Sequence, residues 1–568
     1  MTATAQGLNA NAQFRALADQ YFEKVTFAFN PTFGTSAGLH QYDAKLEDYS
    51  KAAVDAQIVA LDDFEQKFEG LPPFQMDQAT QADREMVLDD IRSKLLTLQV
   101  IKPWEKNPDN YSSGITNSAF VLMERKFAPP DVRLRSLIAR EKQMPAVFTA
   151  ARQNLKNPPH IYTEIALEQL PGIISFFEND VPEAFADAKD AATKAEFQET
   201  NAHVIAELNS YQAWLKNDLL PRSNGDFKLG ADTFSKKLEY DEMVDTPLPK
   251  LLEIAYADLR KNQAEFARVA KEVDSSKTPQ EVLAELATIH PAPDQLLQSF
   301  RNTFDELISF INTKHIITIP SDVRPVLEET PPFMRATTQA SMDSPGPFET
   351  HSKTAYFNVT LPEKDWTPEH IAEHMAAFNV GTVISTSVHE AYPGHYVQFL
   401  WTNSTPLSKV RKLIYANTNV EGWAHYCEQM MLDEGFGQPG TGAKDEREAR
   451  LIRLGQLQDA LLRDARFIVG IKMHTGQMSL DEAVDFFVKE GYQSRSIGQV
   501  ETKRGTSDPT YLYYTLGKLE IMKLRSDLQK KEGSSFSLQR FHDEFMRQGG
   551  APIKIVRQAL LGDNSPTL

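Results

Sequence analysis

The chain has 568 residues, 41% hydrophobic and 24% charged, the composition of a folded globular protein rather than a disordered or fibrous one. Its formal charge of -18 repels nucleic acid and anionic lipid, and no Lys/Arg run longer than a pair such as Lys236-Lys237 offsets it. Cys427 stands alone, which excludes an intrachain disulfide and a thiolate metal cage, and no apolar run approaches the ~18 residues of a membrane span.

From the N-terminus, the small residues Thr2–Gln6 fit what signal cleavage leaves behind, so a periplasmic or secreted location and a cytoplasmic one are both consistent with the sequence. Val54, Ile58, Leu61, Phe64 and Phe68 then recur at three- and four-residue steps before Gly70 and Pro72-Pro73, an amphipathic helix with a marked stop. The same period predicts helices over 80–99, 134–155, 192–215, 251–273, 296–311, 449–474 and 511–528. Thr278-Pro279 and Thr367-Pro368 read as N-cap and first-turn pairs. Two stretches rich in β-branched and aromatic residues, His315–Ile319 and Ala355–Leu361, predict strands of a small sheet. Between them, residues 320–347, rich in Pro, Ser and Thr, read as a long irregular connection. The turn-rich segment around residues 217–230 suggests an N-terminal helical region, 1–220, and a second region, 221–568, or one continuous unit. The fold class is mainly α with a small β-sheet.

Six of the thirteen histidines lie between His370 and His474, under a fifth of the chain. At their centre stands His389-Glu390-Ala391-Tyr392-Pro393-Gly394-His395, followed 26 positions later by Glu421-Gly422-Trp423-Ala424-His425-Tyr426-Cys427-Glu428. A hydrolytic zinc site needs imidazole and carboxylate ligands, an open position for water, and a nearby carboxylate base. Two histidines six apart lie about 240° around an unbroken helix, so both reach one ion only if the helix is distorted. Pro393 lacks the amide that would bond the His389 carbonyl and its ring crowds that carbonyl, and Gly394 tolerates unusual backbone angles, so a kink or bulge is expected there.

HEAYPGH followed by EGWAHYCE resembles the bacterial domain-of-unknown-function family 885, whose members are regarded as gluzincin-like metallopeptidases. The stretches GDFKLGADTFSKKL, RFIVGIKMH and YYTLGKLEIMKLR, between Gly225 and Arg525, are similar to further landmarks of that family. The resemblance implies a large helical zincin-like, neurolysin- or carboxypeptidase-like architecture with the sheet beside an active-site cleft. It implies Zn2+ held by His389, His395 and Glu421, Glu390 as general base, and Tyr514 or His474 facing the oxyanion or orienting substrate. His425 and Gly470 depart from the pattern, standing where an aliphatic and an acidic residue are usual.

His425 and Glu428 share a helical face with Glu421, His425 as a rival ligand or hydrogen-bond partner and Glu428 as an orienter of a ligand histidine or a plain salt-bridge former. Tyr356 and Asn358 are candidates to touch a substrate backbone laid along a sheet edge. His370-Ile371-Ala372-Glu373-His374 fits an inverted zinc motif, but it opens a charged amphipathic helix with no matching downstream ligand. The expected function is hydrolysis of a peptide by metal-activated water. The alternatives are the same chemistry on a non-peptide amide or ester, or a helical binding protein without catalysis.

Overall fold

The computed structural model describes residues 9–331, 334–335, 338–364 and 366–568; the small-residue start at Thr2–Gln6 lies outside them. Helices dominate, and the chain forms two compact units. One runs to Phe227 and includes 345–353 and 408–414; the other comprises 228–344, 354–407 and 415–568.

In the first unit the helix Lys51–Glu69 is capped by the Ser50 hydroxyl, which accepts the Ala53 amide at 3.2 Å, and it buries Val54, Leu61, Phe64 and Phe68. Residues 134–155, expected as one helix, form two, Pro130–Glu141 and Met144–Asn154. Pro145 explains the break: in a continuous helix it would leave the Glu141 carbonyl without its amide, whereas in a first turn the missing N–H costs nothing.

The second unit carries the motif region. Its elements are α1 (Leu248–Val273), α2 (Leu296–Lys314), β1 (Val326–Glu329), β2 (Ala340–Asp343), β3 (Tyr356–Val359), α3 (Val380–Glu390), α4 (His395–Ser404), α5 (Asn417–Asp433), α6 (Glu446–His474), α7 (Arg495–Ser507) and α8 (Tyr513–Glu532). Leu251, Leu259 and Phe266 of α1 meet Leu454, Leu461 and Ile468 of α6 and Leu516 of α8 in one buried core, each such side chain contributing roughly 1.5–3 kcal/mol over exposure. Glycine pairs then let backbones touch. A Cβ built on Gly455 of α6 would lie 2.5 Å from the Gly381 Cα of α3, and one on Gly422 of α5 would lie 2.6 Å from the Gly517 Cα of α8. These crossings fix how closely the side chains of α3, α5, α6 and α8 approach one another.

The sheet has the order β1-β3-β2, with β1 parallel to β3 (Val326 beside Tyr356) and β2 antiparallel to it (Ala340 beside Val359). The strand expected at 355–361 is therefore present as β3. That expected at 315–319 is not: His542 Nδ1 bonds the Ile316 carbonyl, Trp401 Nε1 donates to the Thr318 carbonyl, and Asp543 accepts the Thr318 amide. Side chains take the backbone groups that a neighbouring strand would have taken. Conversely, β1 and β2 arise inside the expected irregular connection, because VLEE and ASMD carry little β-branched signal and are ordered by pairing with β3.

Candidate metal centre

Between the two motif histidines the structure has a break, not a bulged helix. α3 ends at Glu390, residues 391–394 turn, and α4 begins at His395. The Tyr392–Pro393 peptide is cis. The Ala391 and Tyr392 amides both reach the Ser387 carbonyl at 3.0 and 3.1 Å, and the Gly394 amide reaches the Val388 carbonyl at 3.0 Å. Any Cβ on Gly394 would sit 1.8 Å from the His389 carbonyl oxygen, so only glycine fits this return of the chain. Tyr392 packs edge-on against Phe304 of α2 at 5.4 Å, and Trp423 Nε1 of α5 donates to the Pro393 carbonyl at 3.0 Å. The two motifs thus hold each other, and the reversal brings the His389 and His395 rings to 4.7 Å at 88°.

Nε2 of His389 and Nε2 of His395 each lie 3.3 Å from the same atom, Oε2 of Glu421, and the three ligand atoms fall within 4.8 Å of one another. That Oε2 is buried and has no hydrogen-bond partner. Zinc–ligand bonds of ~2.0–2.1 Å at the tetrahedral angle give ligand–ligand edges of about 3.3–3.4 Å, so two of the three edges match a zinc site. Among the described residues, His389, His395 and Glu421 are the group of ligand-type side chains able to hold a metal ion.

Behind this cluster, Glu428 accepts from His389 Nδ1 at 2.7 Å through Oε1 and from His425 Nδ1 at 3.1 Å through Oε2, and Arg463 pairs with it at 3.2 Å. With Nδ1–H on Glu428, the lone pair of His389 Nε2 points at Glu421 and His395, the arrangement by which a carboxylate orients a metal-binding imidazole. Burial would lift the Glu428 carboxyl, but Arg463, His425 and His389 hold it well below the usual carboxylate range. Glu421 is likewise held low against burial, by His395 and His389. Burial would lower the His389 pKa, but Glu421 and Glu428 together pull it up to about 10, so without a cation Nε2 carries a proton that a metal would displace from the lone pair. The carboxylates demand a positive charge at this point. His425 is pushed down to about 3 by burial despite Glu428, so it sits neutral behind the cluster.

Glu390, at the last turn of α3, is 9% exposed and has no hydrogen-bond or ion-pair partner among the described residues. The Tyr514 ring lies 6.2 Å from the His389 ring, and burial and the nearby Glu421 charge raise its hydroxyl pKa, keeping it a donor.

His474 is not brought to the cluster. It ends α6 eleven residues, roughly 16 Å along the axis, beyond Arg463, and its Nε2 bonds the Gly505 carbonyl at 2.8 Å. Tyr356 lies on β3, which is paired on both sides, so a substrate backbone cannot lie along it; the open edges belong to β1 and β2. In the inverted motif, His370 stacks on Trp366 at 3.9 Å, His374 Nε2 bonds the Thr360 carbonyl at 2.9 Å, and Glu373 bonds Ser496. Gly470 packs with its Cβ position 3.0 Å from the Tyr511 ring, leaving no room for an acidic side chain. Arg463 and Arg504 were not singled out from sequence. The signal for Arg463 was there: Asp459, Arg463 and Arg466 put charges on one face of a largely buried helix.

Fold and cluster together define a mainly helical protein with a small mixed sheet and a His-His-Glu cluster of two buried imidazoles and a partly exposed carboxylate. A family described as bacterial protein of unknown function (DUF885) matches residues 31–560, and the chain belongs to it. No curated protein matches. Among solved structures, a candidate lipoprotein of unknown function from Shewanella oneidensis is 25% identical with a TM-score of 0.78, covering 98% of this chain and 100% of its own. A candidate lipoprotein from Colwellia psychrerythraea shares the fold at 18% identity, with a TM-score of 0.81 and coverage of 98% and 99%.

Proposed function

We propose that this protein is a zinc-dependent hydrolase of the gluzincin-like type that cleaves short peptides. The observation that carries the reading is the convergence of His389 Nε2 and His395 Nε2, each at 3.3 Å, on a Glu421 oxygen that no protein donor satisfies. Zinc held by such a set supplies Lewis-acid polarisation of a carbonyl and acidifies water toward pKa ~7. Glu390 takes the proton of the attacking water and returns it to the leaving amine. Glu428, anchored by Arg463, holds the His389 tautomer, and the Tyr514 hydroxyl donates to the developing oxyanion. The description of both structural neighbours as candidate lipoproteins supports an envelope-side location.

Purified protein is expected to carry about one zinc per chain, and Glu390→Gln to lose about 10²–10⁴-fold in kcat while keeping the metal. Metal analysis with a peptide-hydrolysis assay checks both. Absence of zinc, or a variant as fast as wild type, overturns the proposal; turnover of non-peptide amides or esters alone would keep the metal chemistry and change the substrate.

A further inference from the structure

Three guanidinium groups surround the Tyr514 ring: Arg466 at 4.9 Å from its centroid, Arg463 at 5.7 Å and Arg504 at 5.9 Å. Two are turned inward onto protein partners, with only the buried Nε of Arg463 left without one. Arg466 forms a bidentate pair with Glu501 at 2.6 and 2.7 Å, and Arg463 is buried against Glu428. Arg504 differs. Its Nε and Nη2 approach a single oxygen of Asp508 at 3.4 and 3.2 Å, Nη2 also approaches the Tyr514 hydroxyl at 3.4 Å, and the side chain is 35% exposed. Asp508 is itself engaged by the Tyr513 hydroxyl at 3.0 Å. Nη1 of Arg504, with two N–H donors, bonds nothing among the described residues. A fixed, always charged fork with an open edge, beside the tyrosine that faces the cluster, is built to take a carboxylate.

We propose that Arg504 receives the free C-terminal carboxylate of a peptide substrate, so that the enzyme removes residues from the C-terminal end. This rests on the hydrolase reading above. The separations of Tyr514 from the His389 ring and of Arg504 from Tyr514, 6.2 and 5.9 Å, place the guanidinium no more than about 12 Å from the metal-binding imidazole. An extended peptide covers ~3.3–3.6 Å per residue, so a terminus one to three residues past the scissile bond reaches Arg504. Hydrolysis adds the water oxygen to the scissile carbonyl carbon and its protons to the new acid and the leaving amine. The departing amine fragment is the one Arg504 holds.

The test uses the zinc-loaded protein and one peptide sequence made as the free acid, the C-terminal amide and the N-acetylated acid, with a further version carrying an internal Asp. Mass spectrometry is expected to show loss of one to three C-terminal residues. The acid should exceed the amide in kcat/KM by about 10–100-fold, N-acetylation should have little effect, and Arg504→Gln should collapse the acid preference mainly through KM, with Arg504→Lys recovering part. Calorimetry of the same peptides on the Glu390→Gln protein reads the preference without turnover. Equal cleavage of acid and amide by wild type overturns the carboxylate subsite and leaves the hydrolase standing. A preference that follows the internal Asp instead overturns the C-terminal assignment. Protein that takes up no zinc when it is offered, and neither cleaves nor binds any of these peptides, overturns both.

Discussion

Two histidines of this chain sit between pairs of carboxylates, one in each unit, and they are not alike. In the first unit, His40 Nδ1 meets Asp43 at 3.2 Å and Nε2 meets Glu349 at 3.0 Å, while the ring lies flat on Phe127 at 3.9 Å. Each nitrogen ends on its own carboxylate, and one added proton lets both ring N–H groups donate. In the second unit, His389 has such a bond only at Nδ1, to Glu428; its Nε2 and that of His395 face one buried Glu421 oxygen that accepts nothing. What separates a cation cage from an ion pair is lone pairs converging on a common point, not the nearness of acids to imidazoles.

The strongest way to break that distinction is to delete an imidazole from each. His395→Ala and His389→Ala are expected to bring zinc from about one per chain to near zero after gel filtration, while His40→Ala keeps it, because three protein ligands define a catalytic zinc site. Retention of metal by His395→Ala would sink the assignment. Next in size is the support behind His389. Glu428→Gln still accepts from Nδ1 but removes the charge that fixes the tautomer, so metal affinity, read by chelator competition, should fall about 10–100-fold. A change under threefold would mean that Glu428 serves only Arg463 and His425.

Much of the second unit could be read in advance, for reasons visible in its residues. The helical period of Leu251 through Val273 and of Ala449 through His474 is a local property, and both helices form. The resemblance carried by HEAYPGH and EGWAHYCE implied His389, His395 and Glu421 as ligands, and their ligand atoms meet. How they meet was not legible, because the break depends on Gly394 passing the His389 carbonyl and on Trp423, thirty residues away, holding Pro393. Non-local pairing also hid β1 and β2, whose order comes from β3. His474 misled for a related reason: its neighbourhood is set by Gly505, on another helix.

The smallest expected effect lies at His40, and it sharpens the comparison because a proton is all that this site needs. Burial lowers the His40 pKa, but Asp43 and Glu349 more than offset it, so it is raised above its ordinary value. A raised histidine contributes stability that is complete below the unfolded pKa of ~6.5 and disappears as pH rises through the folded value, which lies higher. Burial raises Glu349, but the His351 and Ser352 amides and His40 outweigh it and hold the carboxyl low, so its contribution is present above ~4.3 and lost as pH falls through its folded value. Both are in force together between those limits. His40→Gln should therefore cost about 0.2–1 kcal/mol at pH 5.5, the range of partly exposed pairs, and less at pH 8.5, with zinc content unaltered at either. Denaturant midpoints at the two pH values decide it: a deficit that grows with pH would show that the His40 charge is not what Asp43 and Glu349 hold.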